Sequence, residues 1–429
     1  MKSIVILFVL FIQLFASNSE FSLIKKDTDP TQHTLLIIGG IHGDEPGGYF
    51  TPDFLIRYYK IKSGNLWIIP NLNSDSIMAN NRGIYGDMNR KFSVIDKNDE
   101  DLISVNKIKE LILEKNVHLI LNLHDGYGFY RNKYENAIFN PNSWGQATII
   151  DQEKIDDKFG NLDEIANQVN SNLNSEGLFK DFHSFGVKNT QTKFKDEQMK
   201  LSLTYYAVTN NKPAFAIETS KNITDLTYKV IYQLKSIEEF MKIMDIEFER
   251  DFDINNYEEM KKRIYDFGKI TINDNISFDL SDVKNSIKFI PMKKSDNKFV
   301  FNHTLARTKF VDNKYEVYIG NIKVCELSPQ VFDLETTQNK IKILVDGKEI
   351  ETSLGSQVDI KNDFKILKSD FRANIIGFSK DGRDSEDEIL IKKSDIQSNY
   401  SVDNGMKKYR AEFYKDGKFY GMIILNFLK

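Results

Sequence analysis

The sequence predicts an α/β unit, a mostly parallel but mixed sheet with helices on both faces, followed by two all-β, sandwich-like domains. Three observations carry this. Up to about residue 249, short apolar runs alternate with stretches of helical periodicity, the pattern of a sheet joined by crossover helices. Beyond it the helical period gives way to short alternating runs such as Lys269–Ile272, Ile276–Leu280 and Tyr315–Ile319. Asp-Gly pairs at Asp346-Gly347 and Asp416-Gly417, each between two such runs, mark tight hairpins. At 429 residues the chain is long for one core, so it is divided at 20–249, 250–335 and 336–429, the last immunoglobulin-like.

Thr34–Ile38 reads as a buried strand, and Gly39 to Gly48 as a tight turn leading into a helix over Tyr49–Tyr59. Asn65–Ile69 is a second strand, ended by Pro70. Asn71–Phe92 is a long polar loop of the kind that compact domains keep for function. Leu102, Ile103, Val105, Ile108, Leu111, Ile112 and Leu113 lie close to helical spacing over Glu100–Lys115, and His118–Leu123 is another buried strand. A helix is expected over Leu162–Leu173. The rest of Tyr127–Lys200 is aromatic and polar, and is expected to fold as loops over the site. Pro213–Ile217 is a further strand, and Thr224–Met244 a long amphipathic helix.

The N-terminus has a different character. Met1-Lys2-Ser3 is a short cationic start, Ile4–Phe15 is apolar except for Gln13, and Ala16, Ser17 and Ser19 follow. That is the layout of a secretory signal peptide over residues 1–19, too short to span a bilayer comfortably. The bacterial periplasm is the expected location. The single cysteine, Cys325, lies in a strand-like run and has no intramolecular partner, so it reads as a small core residue. A net charge of −4 gives no electrostatic case for nucleic-acid binding, which usually demands a basic face.

The chemistry gathers at strand ends, where open α/β sheets place their sites. His42 and Glu45 stand three residues apart after the first strand, His124 directly follows a later one, and Glu218 ends another. Two imidazoles and a carboxylate suit zinc with its fourth position open, the arrangement of a catalytic site. No metal or nucleophile constellation is visible in the β-rich half.

His42-x-x-Glu45, then Asp87-x-Asn89-Arg90, then His124, then Glu218, in this order, resembles the zinc carboxypeptidases of the carboxypeptidase A type. The glycine-rich turn, the exported start and the β-rich tail make the chain most similar to the bacterial cell-shape carboxypeptidases of helical epsilonproteobacteria. The resemblance implies one Zn²⁺ held by His42, Glu45 and His124, with Glu218 as general base. It implies that Asp87 orients a ligand imidazole, that Asn89 and Arg90 grip the substrate's terminal carboxylate, and that Arg82 stabilises the oxyanion. Arg57 and Arg131 are alternatives for that last role. The tyrosine of digestive relatives has no certain equivalent, so Trp144 or Thr204 could share in covering the substrate. The implied substrate is a peptidoglycan muramyl tripeptide, cut between the γ-carboxyl of D-glutamate and meso-diaminopimelate, with possible cell-shape proteins as partners of the β-domains. Two other readings stay open: an aspartoacylase-like zinc deacylase, and a non-catalytic periplasmic scaffold.

Overall fold

A computed structural model describes residues 21–175, 180–195, 197–335, 340–379 and 382–428. The expected signal peptide over 1–19 lies outside them. Among the described residues no helix is long and apolar enough to cross a membrane. The chain divides into two compact units, one of Ser19–Asp266 with Tyr318–Ile322, the other containing Phe267–Val317 and Lys323–Lys429.

In chain order the first unit contains β1 (Ile24–Asp27), β2 (Thr34–Ile38), α1 (Pro46–Tyr58), β3 (Lys60–Ser63), β4 (Asn65–Ile69), α2 (Ser74–Met78), α3 (Leu102–Leu113) and β5 (Val117–Gly126). It continues with β6 (Phe129–Tyr130), β7 (Phe139–Asn140), β8 (Ala147–Ile150), α4 (Leu162–Ser175), β9 (Gly186–Asn189), α5 (Thr192–Lys195) and α6 (Leu203–Thr209). The remaining elements are β10 (Ala214–Ser220), α7 (Leu226–Ile243), β11 (Glu247–Glu249) and α8 (Tyr257–Ile264). Seven strands form the main sheet in the order β1-β4-β2-β5-β10-β8-β9. The central four run parallel, whereas β1 on β4 and β8 on β10 are antiparallel, which makes the sheet mixed.

Every residue of β2 and β4 is buried, as expected for strands covered on both faces. Helix α7 is nearly enclosed because Val230, Ile231, Leu234, Ile237, Phe240 and Met241 all face protein. Pro46 sits at the start of α1, where its missing N–H costs no helical hydrogen bond. The unit runs past position 249 through α8. Phe252 packs its ring on Phe54 and Tyr59, and Met260 and Ile264 are buried.

The stretch 127–200 corrects the expectation of loops. It contributes β8 and β9, which extend the sheet beyond β10, and β6 pairs with β7 nearby. Asn71–Phe92 also carries more structure than a loop, with α2 and a 3-10 turn over Met88–Arg90.

The β-rich unit closes with strands from both sides of position 335. Gly355 N–H donates to the Met422 carbonyl, Met422 N–H to that of Asn275, and Glu335 N–H to that of Phe419. Ile343, Phe364, Ile375, Ile391, Phe413 and Ile423 build an apolar core in its last part. Cys325 is buried in the earlier part of that unit, on the strand Ile322–Val331, and burial pushes its thiol up to about 12, far from a nucleophile's range.

Candidate metal centre and active site

The site sits where β2, β5 and β10 end. Gly40 takes φ +74°, a left-handed conformation that turns the chain away from β2 without a Cβ penalty. Gly48 lets the start of α1 lie against β5: a Cβ there would come within 2.6 Å of the Leu123 carbonyl oxygen. The turn therefore drops His42 and Glu45 beside His124, and all three side chains are buried.

Both imidazoles point Nδ1 at the same carboxylate, His42 at 3.0 Å from Glu45 Oε1 and His124 at 2.8 Å from Glu45 Oε2. One nitrogen from each histidine and one Glu45 oxygen lie within 4.8 Å of one another. Two imidazole nitrogens and a carboxylate oxygen, buried and convergent, form a donor set that fits a divalent ion of the zinc type. His42 Nε2 is held at 2.8 Å from Asp87 Oδ1, so a partner behind the ring fixes its orientation and tautomer. Gln233 Nε2 donates to the His124 carbonyl at 2.8 Å and anchors that strand end to α7.

The surrounding charges set how these side chains titrate. Burial disfavours the His42 cation, but Glu45 and the Asp87 hydrogen bond outweigh it, and the ring sits above its ordinary value. Burial prevails at His124, which sits below. Burial alone would raise Glu45, yet His42 and His124 hold it well below the usual carboxylate range. Asp87 is likewise depressed, burial being overcome by His42 and then Arg82.

Glu218 pairs in register with His124 across β5 and β10. It keeps a partly accessible face, but its carboxyl is surrounded by protein and by the acids Glu45 and Asp125. Burial first, then those two charges, raise it well above its ordinary range. Gly126 gives it room: a Cβ there would stand 2.8 Å from Glu218 Oε2 and 2.5 Å from the Trp144 Cβ.

Asp87 caps the 3-10 turn that carries Asn89 and Arg90, accepting the Asn89 N–H at 2.9 Å. Asn89 Oδ1 accepts the Leu203 N–H at 2.9 Å, which ties the turn to the start of α6. Arg90 donates to the Asn89 carbonyl at 2.9 Å and, among the described residues, has no carboxylate partner. A partly buried guanidinium that makes no direct ion pair, although its charge reaches Asp87, is suited to binding an anion.

Of the three arginines weighed for the oxyanion, Arg82 is the one at the site. It donates to Asp87 Oδ2 at 3.0 Å and to Glu45 Oε1 at 3.1 Å, leaving three of its N–H groups for other acceptors. Arg57 pairs with Asp53 on α1 at 2.7 Å, and Arg131 donates to the Tyr130, Phe182 and Ser184 carbonyls. Trp144 lies on the Glu218 side, and Thr204 is buried at the start of α6, near Ser202.

Three charged residues were not singled out from sequence. Asp125 is buried and paired with Lys229 Nζ of α7 at 2.9 Å; it accepts Gly47 N–H at 3.0 Å and bonds Thr219. It thus ties α1, β10 and α7 together behind the metal ligands. Lys221 pairs with Asp44 Oδ2 at 2.5 Å and comes within 3.7 Å of Glu45 Oε1. No local periodicity marks these lysines, because their carboxylates are 104 and about 177 positions away in the chain.

Comparison with known proteins gives a consistent pattern. A family model described as the catalytic part of a carboxypeptidase controlling helical cell shape matches residues 2–263. A second, the C-terminal domain of a metallo-carboxypeptidase, matches residues 334–428. No curated protein matches the sequence. Among solved structures, the apo form of the cell shape determinant protein Csd4 from Helicobacter pylori is similar, at 33% identity and a TM-score of 0.88. The match covers 95% of this chain and 100% of that one. Its tripeptide-bound form matches at 33% identity and TM-score 0.87, with the same coverage. The form bound to mDAP, described as a D,L-carboxypeptidase, matches at 33% and 0.87 over 94% of this chain and 100% of that one.

Proposed function

The chain belongs to the carboxypeptidases that control helical cell shape, and on that footing we propose that it trims peptidoglycan muramyl tripeptide to dipeptide, releasing meso-diaminopimelate from the γ-carboxyl of D-glutamate. The observation that carries this reading is the set His42–Glu45–His124 with Glu218 directly across the register from His124. A binding module has no use for a raised carboxyl beside a metal-ligand set; a hydrolase does. The tripeptide-bound and mDAP-bound forms of the similar H. pylori protein support the substrate class.

The metal in this reading is zinc. Held by His42, Glu45 and His124, it would polarise the scissile carbonyl and acidify the attacking water. Glu218 takes the proton from that water as its oxygen bonds the carbonyl carbon. It then delivers the proton to the diaminopimelate nitrogen as the C–N bond breaks. Asn89 and Arg90 bind the terminal carboxylate and thereby select the last peptide bond. The unused N–H groups of Arg82 face the oxygen on which charge develops. Trp144 and Thr204 border the bound end of the peptide. The reading also places the chain in the periplasm, exported by residues 1–19, with the β-rich unit available to cell-shape partners.

Purified protein with added zinc, given muramyl tripeptide, should release diaminopimelate and stop on chelation. Cleavage of N-acyl amino acids with the tripeptide untouched would favour a deacylase instead.

A further inference from the structure

Beyond the ligands and the base, one cation shares the sheet face of Glu218. In the antiparallel pair β10–β8, Glu218 is opposite Ala147 and Ala216 opposite Ile149. In the next pair, β8–β9, Ile149 is opposite Lys188 and Ala147 opposite Gly186. Side chains alternate along a strand, so Glu218, Ala216, Ala147, Ile149 and Lys188 lie on one face. Ala147, Ile149 and Ala216 form a separate small apolar cluster, with Tyr130 and Trp144 packed against it. The result is a low floor of short side chains, with the base at one side, two aromatic rings beside it and an ammonium group at the far strand.

Lys188 is held firmly in that place. Its Nζ donates to the Pro141 and Ser143 carbonyls, each at 2.9 Å, and lies 4.3 Å from the centre of the Trp144 ring and 5.3 Å from that of Tyr130. Two of its three N–H donors are thereby used and one is left over. Among the described residues no carboxylate lies within ion-pair distance, although the charge of Glu218 reaches it. A partly buried ammonium with neutral partners only is incompletely compensated, and an anionic ligand group completes it.

We propose that Lys188 is the specificity-determining residue for the leaving amino acid, receiving the second carboxylate at the far end of a diaminodicarboxylic acid whose stem lies over Ala147 and Ala216. This rests on the carboxypeptidase reading above. With the terminal carboxylate at Arg90 and the scissile nitrogen at Glu218, the side chain of the leaving residue is what remains to be recognised. Burial pushes Lys188 down to about 8, so it remains mostly charged at neutral pH, and an arriving carboxylate favours that charge further.

Lysine differs from diaminopimelate only by lacking that second carboxylate, so paired substrates isolate the contact. The test is kcat/KM for muramyl tripeptides ending in meso-diaminopimelate and in lysine, with the unmodified protein, Lys188→Met and Lys188→Arg. The unmodified protein should prefer the diaminopimelate substrate by about tenfold or more, the size of one charge-assisted contact. Lys188→Met should collapse that ratio towards one, and Lys188→Arg should keep most of it. Each ratio is taken within a single preparation, so an inactive fraction cancels. Product inhibition of the unmodified protein gives a check without variants: meso-diaminopimelate should inhibit at about a tenth of the lysine concentration.

A ratio unchanged in Lys188→Met, or no preference in the unmodified protein, overturns the proposal while leaving the carboxypeptidase reading intact. Cleavage of neither substrate by the unmodified, metal-loaded protein overturns both.

Discussion

Glu218 and His124 are register partners on adjacent parallel strands, which places the raised carboxyl next to a metal-ligand imidazole. The pairing is set by backbone hydrogen bonds of the sheet centre rather than by a mobile loop.

Glu218→Gln removes the proton acceptor and leaves the shape almost unchanged. Turnover of muramyl tripeptide should fall by about 10²–10⁴-fold, the usual contribution of a general base, while tripeptide binding persists in calorimetry. Full turnover by the variant would exclude this role.

The same residue governs a pH effect on the metal-free protein. Glu218 has its folded pKa raised, so the folded state binds more protons than the unfolded state between the two pKa values. Its relative stabilisation is present below the unfolded value, about 4.3, and is lost as pH rises through the folded one. Glu218→Gln should therefore raise the melting temperature of chelator-treated protein at pH 7.5 more than at pH 4.5. Equal shifts at both would contradict the burial of that carboxyl.

Asp87 joins two functions, holding His42 Nε2 and capping the turn that bears Asn89 and Arg90. Asp87→Ala should weaken metal binding by about 10–100-fold, read by competition with a chromogenic chelator. It should also raise KM, because the carboxylate clamp loses its cap.

Arg90→Ala should raise KM strongly for a tripeptide with a free C-terminus. The difference between variant and unmodified protein should shrink when that terminus is amidated, since the amide offers no anion to bind. A surface arginine with no such role would give no difference on either substrate.

The strand ends were legible because their chemistry is local. Apolar runs over Thr34–Ile38 and His118–Leu123 end at polar, glycine-bearing turns, and that alone announces His42 and His124. The outer strands β8 and β9 were not legible. Each has four residues, they lie in an aromatic, polar stretch, and their pairing joins positions almost forty residues apart. Lys188 and the buried pair Asp125–Lys229 were hidden for the same reason, since a lysine in sequence reads as solvated until its neighbours are known. The resemblance put Arg82 first and kept Arg57 and Arg131 as alternatives; their acceptors separate them in space, carboxylates at the ligand set for Arg82 and remote partners for the others.

Lys229 tests the framework behind the site. It is almost fully buried against Asp125, so Lys229→Met leaves an unpaired carboxylate among α1, β10 and α7. Chemical denaturation should show a loss of about 3–5 kcal/mol. The double variant Asp125→Asn with Lys229→Met should recover part of it.

The most direct measurement of the central claim is mass spectrometry of muropeptides from cells with and without this chain. Its loss should enrich disaccharide tripeptides and deplete dipeptides, and supplying Glu218→Gln should not restore the profile. Unchanged tripeptide and dipeptide fractions in a cell that expresses the chain would contradict the account.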